Sequence, residues 1–220
     1  MSVADALQKR VSTRGFTDKP VPKELLEDIF TRAQRSPSNC NSQPWHSYVV
    51  SGAIKDALKD KLIGELMAGK KPSPEFDWNV YYEDVLKERQ YDSANTLYTA
   101  MGIERSDKQG RQMSMVRNWQ FFDAPHAVFF TMPKYLGVMG AVDLGIYAQS
   151  LALLFAENGI SSCFQGALGQ FPEPVRETLN IPDGEGILFG MSFGYSDPEV
   201  PANKAIVGRA ELEAAVSFFE

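Results

Sequence analysis

The chain has 220 residues, 44% apolar and 23% charged, enough for one sizeable hydrophobic core. Its formal charge is −6 at pH 7, from 22 basic and 28 acidic side chains, with no basic cluster, which argues against nucleic acid or an anionic membrane surface as a partner. Two cysteines and two histidines make a poor zinc set, so no metal site is expected.

In chain order, residues 2–10 read as a short helix with Ser2 as N-cap, and VPKELLEDIFTRAQRS reads as a second helix with Pro22 in its first turn. Leu25, Leu26, Ile29, Phe30 and Ala33 recur at helical spacing and mark its core face. A loop, SPSNCNSQPW at 36–45, leads into a strand at 47–51 and a helix from about 53 to 66. GKKPSP at 69–74 is a break. The stretch after it is helical in composition but rich in rings: Trp78, Tyr81, Tyr82, Tyr91 and Tyr98. A core stripe and a roof over a ligand explain those rings equally well. A further helix runs through KQGRQMSMVRNWQFF, then HAVFFTM is a strand. The helix from Gly140 to about Asn158 is apolar on nearly every side and is expected at the centre of a subunit interface. SSCFQ and ILFGMSFGY are strands separated by the short helix PEPVRETL. No βαβ rhythm runs through this order, so the expectation is α+β, a mixed central sheet flanked by helices. The tail ELEAAVSFFE carries rings that suit docking. MSVADALQKR lacks the apolar stretch of a signal peptide, so a cytoplasmic protein with free Cys40 and Cys163 is expected.

Four features carry chemistry. Arg10, Ser12 and Arg14 alternate, so in extended chain they share one side, and two guanidiniums around a hydroxyl suit a phosphate. Basic residues answering a helix dipole explain the same pattern. Lys204 and Arg209 form a second small cationic group near the far end. CFQGALGQF at 163–171 has two glycines at a strand exit, which permits close approach to a flat ligand or simply makes a turn. The loop at 36–45 has many spare donors and acceptors, which serve its own backbone or something polar laid against it.

Taken together, RVSTR, SPSNCNSQPW, NWQFFDAP and DLGIYAQSLALLFAENGISSC resemble the FMN-dependent nitroreductase family over nearly the whole chain. The middle segment is similar to the subgroup that includes nitrobenzoate reductases. The resemblance implies one FMN-binding domain over 1–220, an intertwined homodimer, and a helical insert at about 69–117 over the flavin. It implies that Arg10, Ser12 and Arg209 hold the phosphate, with Arg14 and Asn118 near the pyrimidine edge of the ring. Pro37, Ser38, Asn39 and Asn41 would contact the flavin, often across the dimer. Gln165 and the amides of Gly166 and Ala167 would approach N5. One departure is Gln120, where the family commonly has a cation that stabilises negative charge on the reduced ring. The implied activity is hydride transfer from NADH or NADPH through FMN to a nitroaromatic or quinone acceptor, with chemistry at the flavin and no catalytic side chain. Tyr82 and Tyr91 would stack on the acceptor, and Arg105 or Arg111 would pair with its carboxylate. Two rival functions are reductive dehalogenation of halotyrosines, which needs a Tyr82, Glu83 and Lys87 lid, and flavin binding without turnover.

Overall fold

Ser2 opens the first helix by accepting the Asp5 amide at 3.1 Å, and the Asp5 carboxylate takes the Ser2 amide at 2.9 Å. This reciprocal capping box sets α1 at Val3–Lys9. The computed structural model describes residues 1–77 and 81–220, and Trp78 lies outside the described residues. α2 spans Lys23–Ala33 and buries Ile29 and Ala33, as its periodicity predicts. β1 (His46–Ser51) leads directly into α3 (Gly52–Met67), whose buried residues are Leu58 and Leu62. α4 (Asp84–Ala100) and α5 (Lys108–Val116) lie within the 69–117 segment expected to be an insert. β2 (His126–Pro133), α6 (Gly137–Glu157), β3 (Ser161–Gln165), α7 (Pro172–Leu179) and β4 (Glu185–Gly194) complete the regular elements.

The strands form one sheet in the order β1-β2-β4-β3, and every ladder in it is antiparallel. The sole parallel contact among the described residues is an isolated bridge between Ser12 and Ser162. It brings the extended segment after α1 against β3. Alternation along β2 divides the core in two. Val128, Phe130 and Met132 pack with Ile29 of α2 and with Leu144, Leu151 and Phe155 of α6. Ala127 and Phe129, on the other face, meet Leu58 and Leu62 of α3 and Val175 of α7. The α+β layering is as expected, with helices covering both faces, but among the described residues the sheet is antiparallel throughout and not mixed.

Several elements differ from their sequence expectation. α5 stops at Val116 and does not run on through Phe122. Phe121 and Phe122 are buried with φ of 55° and 52°, so the need to bury both rings turns the chain out of the helix. α4 has no buried residue, which removes the core-stripe explanation of its rings within the chain. α6 is not buried all round. Leu144, Tyr147, Ala148, Leu151 and Phe155 form its inner face, while Val138, Met139, Val142 and Ile146 are exposed. By length and composition Lys134–Glu157 is apolar enough to cross a membrane, yet its inner face is a third of one core.

Candidate functional site

Arg10 ends α1, and the chain then runs extended, with the Thr13 amide donating to the Ser162 carbonyl at 3.1 Å. Extended geometry turns Arg10, Ser12 and Arg14 toward one hollow of about 410 Å³. Arg209 reaches the same hollow from the other end of the chain, with Ala205 to Gly208 as its floor and Ser93 of α4 on its side. No carboxylate of the described residues lines this hollow. Among the described residues, none of the three guanidiniums pairs with an acid. In a chain of net charge −6, three arginines without an acidic partner around a hydroxyl fit a phosphate dianion. Lys204 does not line the hollow. Behind the hollow, burial pushes the Cys163 thiol up to about 11, against the pull of Arg14, Ser12 and Arg10.

A residue unnoticed in the sequence builds this hollow. The Asn203 Oδ1 accepts the Arg14 amide at 2.7 Å, and its Nδ2 donates to the carbonyls of Gly15 and Asp197, each at 2.8 Å. One amide side chain thus ties the N-terminal segment to the turn that leads to Arg209. Gly15 is required beside it, because the Val200 side chain occupies the space a Cβ would need.

At the far end of β3, three residues or roughly 10 Å from Ser162, lies an apolar slot of about 480 Å³. Phe164, Gln165 and Gly166 line it together with Leu188, Phe189 and Gly145, Ala148 and Gln149 of α6. A phosphate held at one end of β3 and a planar ring at the other matches the span of a ring carrying a phosphorylated five-carbon side chain. The residues present therefore fit FMN. The Gln165 side chain is committed to its neighbours. Its Nε2 donates to the Asn118 carbonyl at 2.8 Å and its Oε1 accepts from Ser192, so it positions Asn118. Trp119, also missed in the sequence, donates from Nε1 to the Ala167 carbonyl at 3.1 Å and pins the Gly166–Gly169 turn.

The loop at 36–45 stands apart from both hollows, and none of Pro37, Ser38, Asn39 or Asn41 lines either one. Cys40, Asn41 and Gln43 have φ of 51°, 54° and 47°, a left-handed run that costs non-glycine residues about 1–3 kcal/mol each. Local bonds hold it. The Ser38 hydroxyl accepts the Gln43 amide at 2.9 Å, Gln43 Nε2 donates to the Asn41 carbonyl at 2.9 Å, and Trp45 Nε1 donates to Gln34 Oε1 at 3.1 Å. Trp45 then stacks on Tyr147 of α6, with ring centroids 4.8 Å apart.

The insert encloses a cavity of about 950 Å³. Tyr91, Tyr98, Arg105 and Arg111 line it with Gln90 and Asn95. Three of the four expected acceptor-binding residues thus meet at one place. Tyr82 does not line it, standing before the start of α4. Glu83 and Lys87, the rest of the dehalogenase lid set, do not line it either. The histidines serve structure. His126 Nε2 accepts the Val21 amide at 2.9 Å, and burial holds its pKa below the usual histidine range. His46 stacks on Tyr48 at 4.4 Å, and burial with the nearby Glu185 pushes the Tyr48 hydroxyl up to about 12. Cys40 and Cys163 are both free.

An antiparallel sheet between helical layers, with a phosphate-suited hollow and a planar slot at the two ends of β3, defines a flavin-protein architecture. The family model "Nitroreductase family" matches residues 7–195, and this chain belongs to that family. It is 34% identical over 213 residues to nitroreductase NfnB of Mycolicibacterium smegmatis, covering 96% of this chain and 90% of the relative. It is 33% identical to a 4-nitrobenzoate reductase of Nocardioides sp., covering 95% of this chain and 86% of the relative. A crystal structure of the FMN and NADPH-dependent nitroreductase NfnB from sphigopyxis sp. strain HMH superposes with a TM-score of 0.96 at 33% identity, covering 100% of both chains.

Proposed function

We propose that the protein is an FMN-dependent oxidoreductase that takes hydride from NAD(P)H and reduces nitroaromatic acceptors, carboxylated ones among them. The observation that carries this reading is the convergence of Arg10, Ser12, Arg14 and Arg209 on one acid-free hollow, joined along β3 to an apolar slot. When bound, FMN supplies the redox chemistry, accepting hydride from the nicotinamide and passing it to the acceptor. The chain's residues do the rest. The arginines neutralise the phosphate, the slot strips water from the ring, and the Gly166 and Ala167 amides hold the ring's reactive edge. NADPH is favoured as donor by the FMN and NADPH-dependent neighbour.

The reading includes a homodimer. Val138, Met139, Val142 and Ile146 present an apolar stripe on α6, the helix against which the 36–45 loop packs. In the tail, Phe218 is 80% and Phe219 94% exposed, as expected of a segment that docks on a twin. A twin's loop would bring Pro37, Ser38, Asn39 and Asn41 to the flavin, which one chain does not do. The insert cavity takes the acceptor, with Tyr91 stacking on it and Arg105 or Arg111 meeting its carboxylate. The two free thiols agree with a cytoplasmic setting. The test is steady-state kinetics with NADPH and 4-nitrobenzoate. Parallel double-reciprocal lines are expected, since one site serves donor and acceptor in turn, and intersecting lines would count against the scheme.

A further inference from the structure

α6 contains one acid in its inner face. Asp143 is 4% exposed in a helix whose other inner residues are apolar or aromatic, and no Lys or Arg pairs with it among the described residues. A buried carboxylate without a cation is costly, so its hydrogen bonds decide why it is there. Both of its hydrogen-bond partners among the described residues belong to the 36–45 loop. Oδ1 accepts the Asn39 amide at 3.0 Å, and Oδ2 accepts the Ser42 hydroxyl at 3.4 Å. Those two groups flank Cys40 and Asn41, the residues held in the left-handed region. The loop's remaining bonds are internal or lead to α2; Asp143 is its polar anchor to α6.

We infer that Asp143 is a positioning residue for the flavin: it holds the strained Asn39–Ser42 turn in the one shape that presents Ser38 and the Asn39 side chain outward. The inference rests on the reading above, that this loop touches FMN. Because the Asn39 amide is spent on Asp143, the groups left for the flavin are the Asn39 side chain, the Ser38 hydroxyl proton and the Pro37 carbonyl. The anchor also sits one residue from Val142 in the exposed apolar stripe, so it links loop shape to the interface helix.

The test titrates the apoproteins of wild type, D143A, D143N and S42A with FMN and with riboflavin, checking far-UV circular dichroism and light scattering in parallel. D143A loses a charge-assisted bond and should raise the FMN Kd about tenfold or more. It should weaken riboflavin by the same factor, because the loop acts on the ring and not on the phosphate. D143N keeps an acceptor for the Asn39 amide and a donor for the Ser42 oxygen, so its Kd should return to within about threefold of wild type. S42A, on the exposed side of the contact, should lose about three- to tenfold and keeps the test alive if D143A does not fold. Wild-type affinity in S42A and D143A, or D143N binding as poorly as D143A, would overturn the assignment. So would affinity that falls only where the dimer is lost. A wild-type protein that binds neither flavin overturns the FMN reading itself, and this inference with it.

Discussion

Replacing Arg10 or Arg209 by Ala tests the phosphate hollow. Each guanidinium is expected to make at least one charge-assisted bond to the phosphate, worth about 1.5–3 kcal/mol. The structure ranks them. Arg10 is half-buried at the end of α1, whereas Arg209 is exposed and already donates to the carbonyls of Val207 and Gly208 at 3.0 and 2.9 Å. Solvent screening puts R209A at the lower end, about tenfold in Kd, and R10A higher, between about tenfold and a hundredfold. Since both serve one phosphate, the double variant should fall short of the sum of the singles. The assay is quenching of flavin fluorescence by apoprotein, run with FMN and with riboflavin. Riboflavin lacks the phosphate, so its affinity should not change in either variant. Unchanged FMN affinity in both single variants, or equal losses for FMN and riboflavin, would refute the assignment.

Other consequences are open to test. Arg at Val142 or Ile146 should lower dimer content and flavin occupancy together by light scattering and absorbance, since burying one such side chain is worth about 1.5–3 kcal/mol; Ala148 and Leu151 are core residues, so a charge there would report on folding instead. Replacing Tyr91 by Ala should cut kcat/KM for 4-nitrobenzoate by the equivalent of about 0.5–1.5 kcal/mol while FMN affinity holds, and R105A or R111A should erase the preference for 4-nitrobenzoate over nitrobenzene. His126 has a depressed pKa in the folded state, so the unfolded chain binds the extra proton first. Stability from this group is present above the ordinary histidine value and lost as pH falls below about 6.5, by at most about 1.4 kcal/mol per pH unit. Urea melts of H126Q across that window should show a flatter slope than wild type.

Much of this architecture was legible because it depends on local pattern. The 3.6-residue period of α2, the apolar run of β2 and the Ser2 cap each act within a few residues, and each appears where the sequence puts it. Half of the arginine hollow was legible in the alternation of Arg10, Ser12 and Arg14; Arg209 was joined to it only through resemblance, since it meets Arg10 through a fold that joins the two ends of the chain. What escaped were the residues that arrange others. Asn203 and Trp119 make bonds to a carbonyl or an amide far away in sequence, and nothing in their own neighbourhood signals it. Asp143 did leave a trace, as an acid in an apolar helix, but its partner loop lies a hundred residues earlier. The end of α5 was misplaced because two phenylalanines favour burial over helix continuation, a tertiary preference that local propensity does not contain.

The central claim, that this chain holds FMN as a working redox group, is tested most directly by the visible spectrum of the purified protein under argon. The account predicts a yellow protein whose flavin bands bleach on addition of NADPH, return on addition of 4-nitrobenzoate, and leave FMN in the supernatant after heat denaturation. A colourless protein that cannot be reconstituted with FMN would contradict it, as would bound flavin that NADPH and NADH both fail to bleach.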